Sequence, residues 1–160
     1  MLPTLTTPRL TLRALKASDR ADLFAVYGDA RTMAFAADPV FTEPAMVDQL
    51  LSSVARLHLL GVSLEWGLEE RASGRLIGTC GLHSFNAEGN AAEFGCLLGS
   101  PYWRQGLMSE ALAAMVAHAR AQGLRQLLAD VDDQNPRAIA FFQSRGFVRE
   151  PSGLFRLTLA

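Results

Sequence analysis

The chain has 160 residues, 49 % hydrophobic and 19 % charged, with a formal net charge of −1. That length suits one domain with a single core, and the near-neutral balance excludes the positive excess that draws a protein to nucleic acid or an anionic membrane. No run approaches the roughly 20 apolar residues of a membrane-spanning helix, so a cytoplasmic location without nucleic-acid or membrane partners is expected.

Lys16 is the single lysine among many arginines, so any anion would be held by guanidinium forks and backbone N–H groups. The cysteines Cys80 and Cys96 lie in apolar runs without C-x-x-C spacing and read as core residues, and no histidine spacing suits a metal.

In chain order, Arg9 to Leu15 alternates in polarity as a strand does. Ser18 is expected to cap a first helix carrying Leu23, Phe24, Val26 and Tyr27 toward a core, followed by an irregular stretch from Arg31 to Phe41. Thr42-Glu43-Pro44 opens a second helix with a stripe through Met46, Val47, Leu50, Leu51, Val54 and Leu57. Val62 to Glu69 alternates strictly, with Glu65 on the polar side. Leu76 to Leu82 and Ala92 to Leu98 complete an antiparallel meander joined by the turn-rich segments 71–74 and 86–90.

The texture then changes. Gly106 to Gln122 is apolar at helical spacing and ends at Gly123, Leu124 to Val131 reads as a strand, and Asn135-Pro136 opens a last helix closed by Gly146. Strand, helix and strand in succession place the two strands parallel, with the helix crossing over. Two short strands, Phe147 to Glu150 and Leu154 to Leu159, finish the chain.

The segment Trp103 to Ser109 joins a strand end to a helix start. A helix start leaves about four N–H groups unpaired, and Gly106 lets a phosphate approach them because it has no side chain. Most helix starts bind only water, and neither a Walker pattern nor a dinucleotide fingerprint is present.

The order of these elements, with Thr7-Pro8-Arg9-Leu10-Thr11-Leu12-Arg13, Leu76 to Leu82, Ala92-Glu93-Phe94-Gly95 and Asn135 to Phe147, resembles the GNAT acetyltransferases, in particular the branch of ribosomal-protein N-terminal acetyltransferases. The resemblance implies an α/β domain over residues 1–160: a mixed sheet of about seven mostly antiparallel strands, a central splayed parallel pair and about four helices. It implies acetyl-CoA as cosubstrate, without a metal. Backbone of Arg104, Gln105, Gly106, Leu107, Met108 and Ser109 would hold its pyrophosphate, and Cys96, Leu97 and Leu98 its pantetheine arm. Asn135 and Phe142 would touch the same arm, and a backbone N–H of the strand would stabilise an oxyanion. Met108 is bulkier than the family's small residue, and Phe142 stands where the family often has a proton-donating tyrosine.

The implied activity is direct transfer of an acetyl or other acyl group to a primary amine, either a peptide N-terminus or a small molecule, by a monomer or homodimer. The alternative is a weak or inactive acyl-CoA-binding regulator. Glu93 is the first candidate base, its other reading being a solvated strand carboxylate, and Ser109 can assist catalysis. Glu65 and His83 could reach a shared cleft but are expected at the surface, and capping alone accounts for Asn135.

Overall fold

The computed structural model describes residues 2–159, which leaves Met1 and Ala160 of the expected 1–160 domain outside the described residues. Period-two alternation becomes a sheet in the order β1-β2-β3-β4-β5-β6-β8-β7. The strands are β1 (Leu5–Thr6), β2 (Leu10–Arg13), β3 (Ser63–Glu70), β4 (Leu76–His83), β5 (Ala91–Leu98), β6 (Gln126–Ala129), β7 (Val148–Arg149) and β8 (Phe155–Thr158). The eighth strand beyond the sequence pattern is β1, two residues paired to β2 and too short to show periodicity.

Neighbouring strands are antiparallel except β5 and β6, which run parallel through Ala91–Gln126, Ala92–Leu127 and Glu93–Leu128. Pairing stops at Glu93 while β5 continues to Leu98, so the two strands part and open the sheet at its centre.

Four α-helices cover the two faces: α1 (Arg20–Tyr27), α2 (Pro44–Leu59), α3 (Leu107–Ala121) and α4 (Pro136–Ser144). Trp66, Leu68, Cys80, Leu82, Phe94, Leu112 and Met115 form the larger cluster with α3 and α4. Leu23, Val26, Tyr27 and Val47 form the smaller one with α1 and α2. Both sheet faces are therefore buried, which explains why β4 is buried over seven of its eight residues.

The start of the first helix differs from expectation. A 3₁₀ turn, Ala17–Asp19, precedes α1, and no Ser18 side-chain cap forms. Instead the Lys16 N–H donates to the Asp19 carboxylate at 2.9 Å. Arg13 grips the same carboxylate with two nitrogens at 2.9 and 2.8 Å, and this bidentate pair fixes the turn more firmly than a serine hydroxyl would.

Candidate active site

Trp103 to Gly106 follows a 3₁₀ turn, Ser100–Tyr102, and leads into α3. Gly106 sits at φ +77° and Arg104 at φ +62°, both left-handed. A Cβ at residue 106 would also lie 3.3 Å from an Arg9 guanidinium nitrogen, so glycine satisfies conformation and space together. The turn ends on the open N–H groups of the first α3 turn, the geometry suited to a phosphate.

Contacts from distant chain segments hold this turn. Arg9 donates from Nη1 to the Gln105 carbonyl at 2.7 Å and from Nε to Glu110 at 3.0 Å. Glu110 also accepts from the Arg9 N–H at 2.8 Å and from the Thr7 hydroxyl at 2.5 Å. The Trp103 indole N–H donates to the Leu98 carbonyl at 2.7 Å, binding the turn to the end of β5.

Above the turn, the Arg137 guanidinium lies 3.3 Å and that of Arg31 5.1 Å from the Trp103 ring centroid. Arg104 completes the cluster, and none of the three forms an ion pair among the described residues. Burial first, then the charges of Arg104 and Arg31, pull the Arg137 pKa down. Two unneutralised guanidiniums at one aromatic ring, with Arg104 close enough to act on Arg137, are poised for a polyanion.

Arg31 is placed by a hydrogen-bonded tie between segments. Asp29 accepts from the Ser100 and Thr32 hydroxyls at 2.5 Å each, and Thr32 in turn accepts from the Ser100 N–H at 2.9 Å. These bonds, Ser100 first, hold the Asp29 carboxyl below its ordinary pKa and lock the irregular 31–41 stretch against the end of β5.

Where β5 and β6 part, a cleft of about 600 Å³ opens. Of the sequence-predicted residues, Cys96, Leu97, Leu98, Arg104, Gly106, Leu107, Met108, Ser109, Asn135 and Phe142 line it. Met108 also packs along the larger core cluster. The Asn135 Oδ1 caps α4 by accepting from the Ala138 N–H at 3.2 Å. Phe142 lies edge-on to Phe94, Phe141 and Phe147.

Two of the expected site residues are absent from the lining. Gln105 is exposed, with its carbonyl taken by Arg9 and its side chain donating to the Pro101 carbonyl at 3.3 Å. Glu93 occupies the last paired register, opposite His83 on β4, just before the strands diverge.

Glu65 departs from the surface expectation. It faces Gly81 across β3 and β4, and its carboxyl occupies the space a Cβ at 81 would need. Solvent reaches part of the residue, yet the carboxyl itself is enclosed: desolvation pushes its pKa up to about 7, only partly offset by the Thr79 hydroxyl. The polar side of β3 is buried because α1 and α2 lie over that face.

Tyr27, Arg31, Trp103 and Arg137 also line the cleft. Sequence reading took Tyr27 as core, which it also is, and nothing in the sequence brings the two arginines to Trp103. No group of three or more potential metal ligands occurs among the described residues. No helix there is long and apolar enough to cross a membrane.

Comparison with known proteins bears on the family and the fold. Residues 9–148 match the family described as the acetyltransferase (GNAT) domain. An uncharacterised N-acetyltransferase, p20 of Bacillus licheniformis, is 28 % identical over 156 residues, covering 97 % of this chain and 86 % of its relative. RimL, a ribosomal L7/L12 α-N-protein acetyltransferase solved with coenzyme A, superposes with a TM-score of 0.84 at 18 % identity, covering 98 % of each chain. Spermidine N-acetyltransferase from Vibrio cholerae, solved with coenzyme A and spermine, gives a TM-score of 0.79 at 17 % identity, covering 94 % of this chain and 96 % of the other. With the family match spanning most of its length, the chain belongs to the GNAT acetyltransferases.

Proposed function

We propose that the chain transfers an acetyl group from acetyl-CoA to a primary amine by direct attack of the amine on the thioester. The parting of β5 from β6 at Glu93, beside a left-handed glycine turn and a cleft lined by three guanidiniums without ion pairs, carries this reading. The residues present fit the cosubstrate: the turn and the guanidiniums of Arg31, Arg104 and Arg137 suit its phosphates, and the apolar walls Leu97, Leu98, Ala138 and Phe142 suit its arm.

When bound, the cosubstrate supplies an activated acyl group on a leaving sulfur. The protein contributes orientation, charge balance and exclusion of water. Ser109, in the first turn of α3, offers a hydroxyl to the phosphates or the departing thiolate, the latter a service Phe142 cannot perform. Glu93, the base expected from sequence, sits at the neck where the strands part and outside the cleft lining.

The acceptor enters past Met33, Phe35, Ala36 and Asp38, a mostly apolar wall whose carboxylate favours an ammonium. The relatives act on a protein N-terminus in one case and a polyamine in another, by their names. Both acceptor classes suit this wall. Calorimetric titration with acetyl-CoA, then thiol release over peptides, polyamines, aminoglycosides and amino acids with mass detection of product, tests the reading. Expected are saturable binding and release that requires an amine; no binding at millimolar cosubstrate refutes it.

A further inference from the structure

On the α1 and α2 side of the sheet, the register aligns Glu65 of β3, Gly81 of β4 and Gly95 of β5 in one row. Gly67, Thr79 and Leu97 form the next row. Gly81 leaves room for the Glu65 carboxyl, and Gly95 belongs to the cleft wall. The Tyr27 hydroxyl meets the Thr79 hydroxyl at 3.0 Å, and Thr79, two residues along β4 from Gly81 on the same face, stands diagonally across from Glu65 and favours its ionised form. Tyr27 lines the cleft although only 6 % exposed. Two hydroxyls therefore lie between the cleft wall and a carboxylate that forms no ion pair among the described residues.

We propose that Glu65 is the terminal proton acceptor of the transfer, reached from the cleft through the hydroxyls of Tyr27 and Thr79. This assignment rests on the acetyl-transfer reading above. An ammonium acceptor gives one proton to the Tyr27 oxygen. Tyr27 passes its own proton to Thr79, and Thr79 passes its proton to Glu65, leaving a neutral amine and a neutral carboxylic acid. The nitrogen lone pair then forms the C–N bond as the C–S bond breaks with its electron pair on sulfur. The second nitrogen proton neutralises the thiolate, and Glu65 returns its proton to solvent after product leaves. Charge and atoms balance, and each hydroxyl ends with the proton count it began with.

The surroundings suit an acceptor near neutrality. Glu65 is pushed up to about 7 by desolvation, so about half of it is ionised at neutral pH and that form is basic enough to take a proton. The groups on its face are Tyr27 from α1, Thr79 from β4, and the paired His83 and Glu93 in the next row, with His83 leaning over Gly95, while Cys80 and Cys96 lie across the sheet on the α3 side. Asp38 of the irregular loop acts on Tyr27, and α2 presents no charge that perturbs Glu65. Burial raises the Tyr27 pKa, so its phenol stays protonated and acts as a conduit.

The test measures kcat, KM and the pH profile of thiol release with whichever amine the wild-type chain accepts, beside acetyl-CoA affinity by calorimetry. Glu65→Gln is expected to lower kcat by roughly 10²-fold and erase the limb near pH 7, with cosubstrate affinity unchanged. Tyr27→Phe and Thr79→Val are expected to lower kcat comparably, and Thr79→Ser, which keeps the hydroxyl, to restore it. Circular dichroism melting confirms that each variant is folded.

A wild-type rate and an intact limb in Glu65→Gln overturn the proposal while leaving acetyl transfer standing. A slow Glu65→Gln beside fully active Tyr27→Phe and Thr79→Val overturns the hydroxyl route. A wild-type chain that binds acetyl-CoA but releases thiol with no amine overturns acetyl transfer and the relay together.

Discussion

Glu65 and Gly81 face each other across β3 and β4, and the carboxyl of one fills the place where the side chain of the other would stand. This lateral packing keeps a carboxyl beneath the helices, with the cleft two strands away.

Its stability cost follows from linkage. The folded-state pKa of about 7 lies above the ordinary 4.5, so the native chain holds more protons than the unfolded chain between these values. Stability contributed at low pH is therefore lost as pH rises through 7. Glu65→Gln should be more stable than wild type by about 2 kcal/mol at pH 8, with the gain vanishing near pH 4, as denaturant melts at both pH values would show.

Gly106→Ala should weaken both fold and binding. A left-handed alanine costs about 1–2 kcal/mol, and the new methyl crowds Arg9. Thermal unfolding should fall by roughly 3–6 °C, and acetyl-CoA affinity by about 10-fold or more as the N–H groups at the helix start shift.

Arg137→Ala should act on binding rather than fold. Its guanidinium stacks on Trp103 without a carboxylate partner, and its removal also relieves repulsion from Arg31 and Arg104. Calorimetry should show acetyl-CoA affinity reduced roughly 10-fold at low salt, with the difference shrinking at high salt and the melting temperature unchanged or raised.

Asp19→Asn should destabilise by roughly 1–2 kcal/mol, because it removes the bidentate partner of an Arg13 guanidinium only 15 % exposed and leaves it the single Glu69 contact at 3.0 Å. Burial pushes the Asp19 carboxyl up, but Arg13 and the Lys16 N–H outweigh it and hold the pKa below ordinary. The wild-type stabilisation is thus present above the unfolded carboxylate range and lost as pH falls through the depressed value; Asp19→Asn should flatten that acid limb in chemical denaturation.

Period-two and helical apolar patterns were readable where they ran for four residues or more, in β2 to β6 and β8, while the short β7 was marked by the turns around it, and Gly106 and Asn135 marked the turn and the cap. The pattern misled at Glu65, because alternation separates two faces without saying whether the second meets water or another layer of helices. It was silent on β1, whose two residues carry no period. The Ser18 cap failed because a bidentate arginine 13 positions the turn through Asp19, a competition between side chains that local propensity does not rank.

The sequence by itself determined the elements, their order and the glycine turn, since these depend on local backbone preferences and the burial of apolar stripes. Tertiary structure decided which polar groups meet: Arg31 and Arg137 on Trp103 with Arg104 near Arg137, Thr7 and Arg9 on Glu110, and Tyr27 through Thr79 toward Glu65. Those contacts join residues tens of positions apart. Their charge and pKa depend on burial and neighbours, which exist only once the sheet has parted at Glu93 and both its faces are covered.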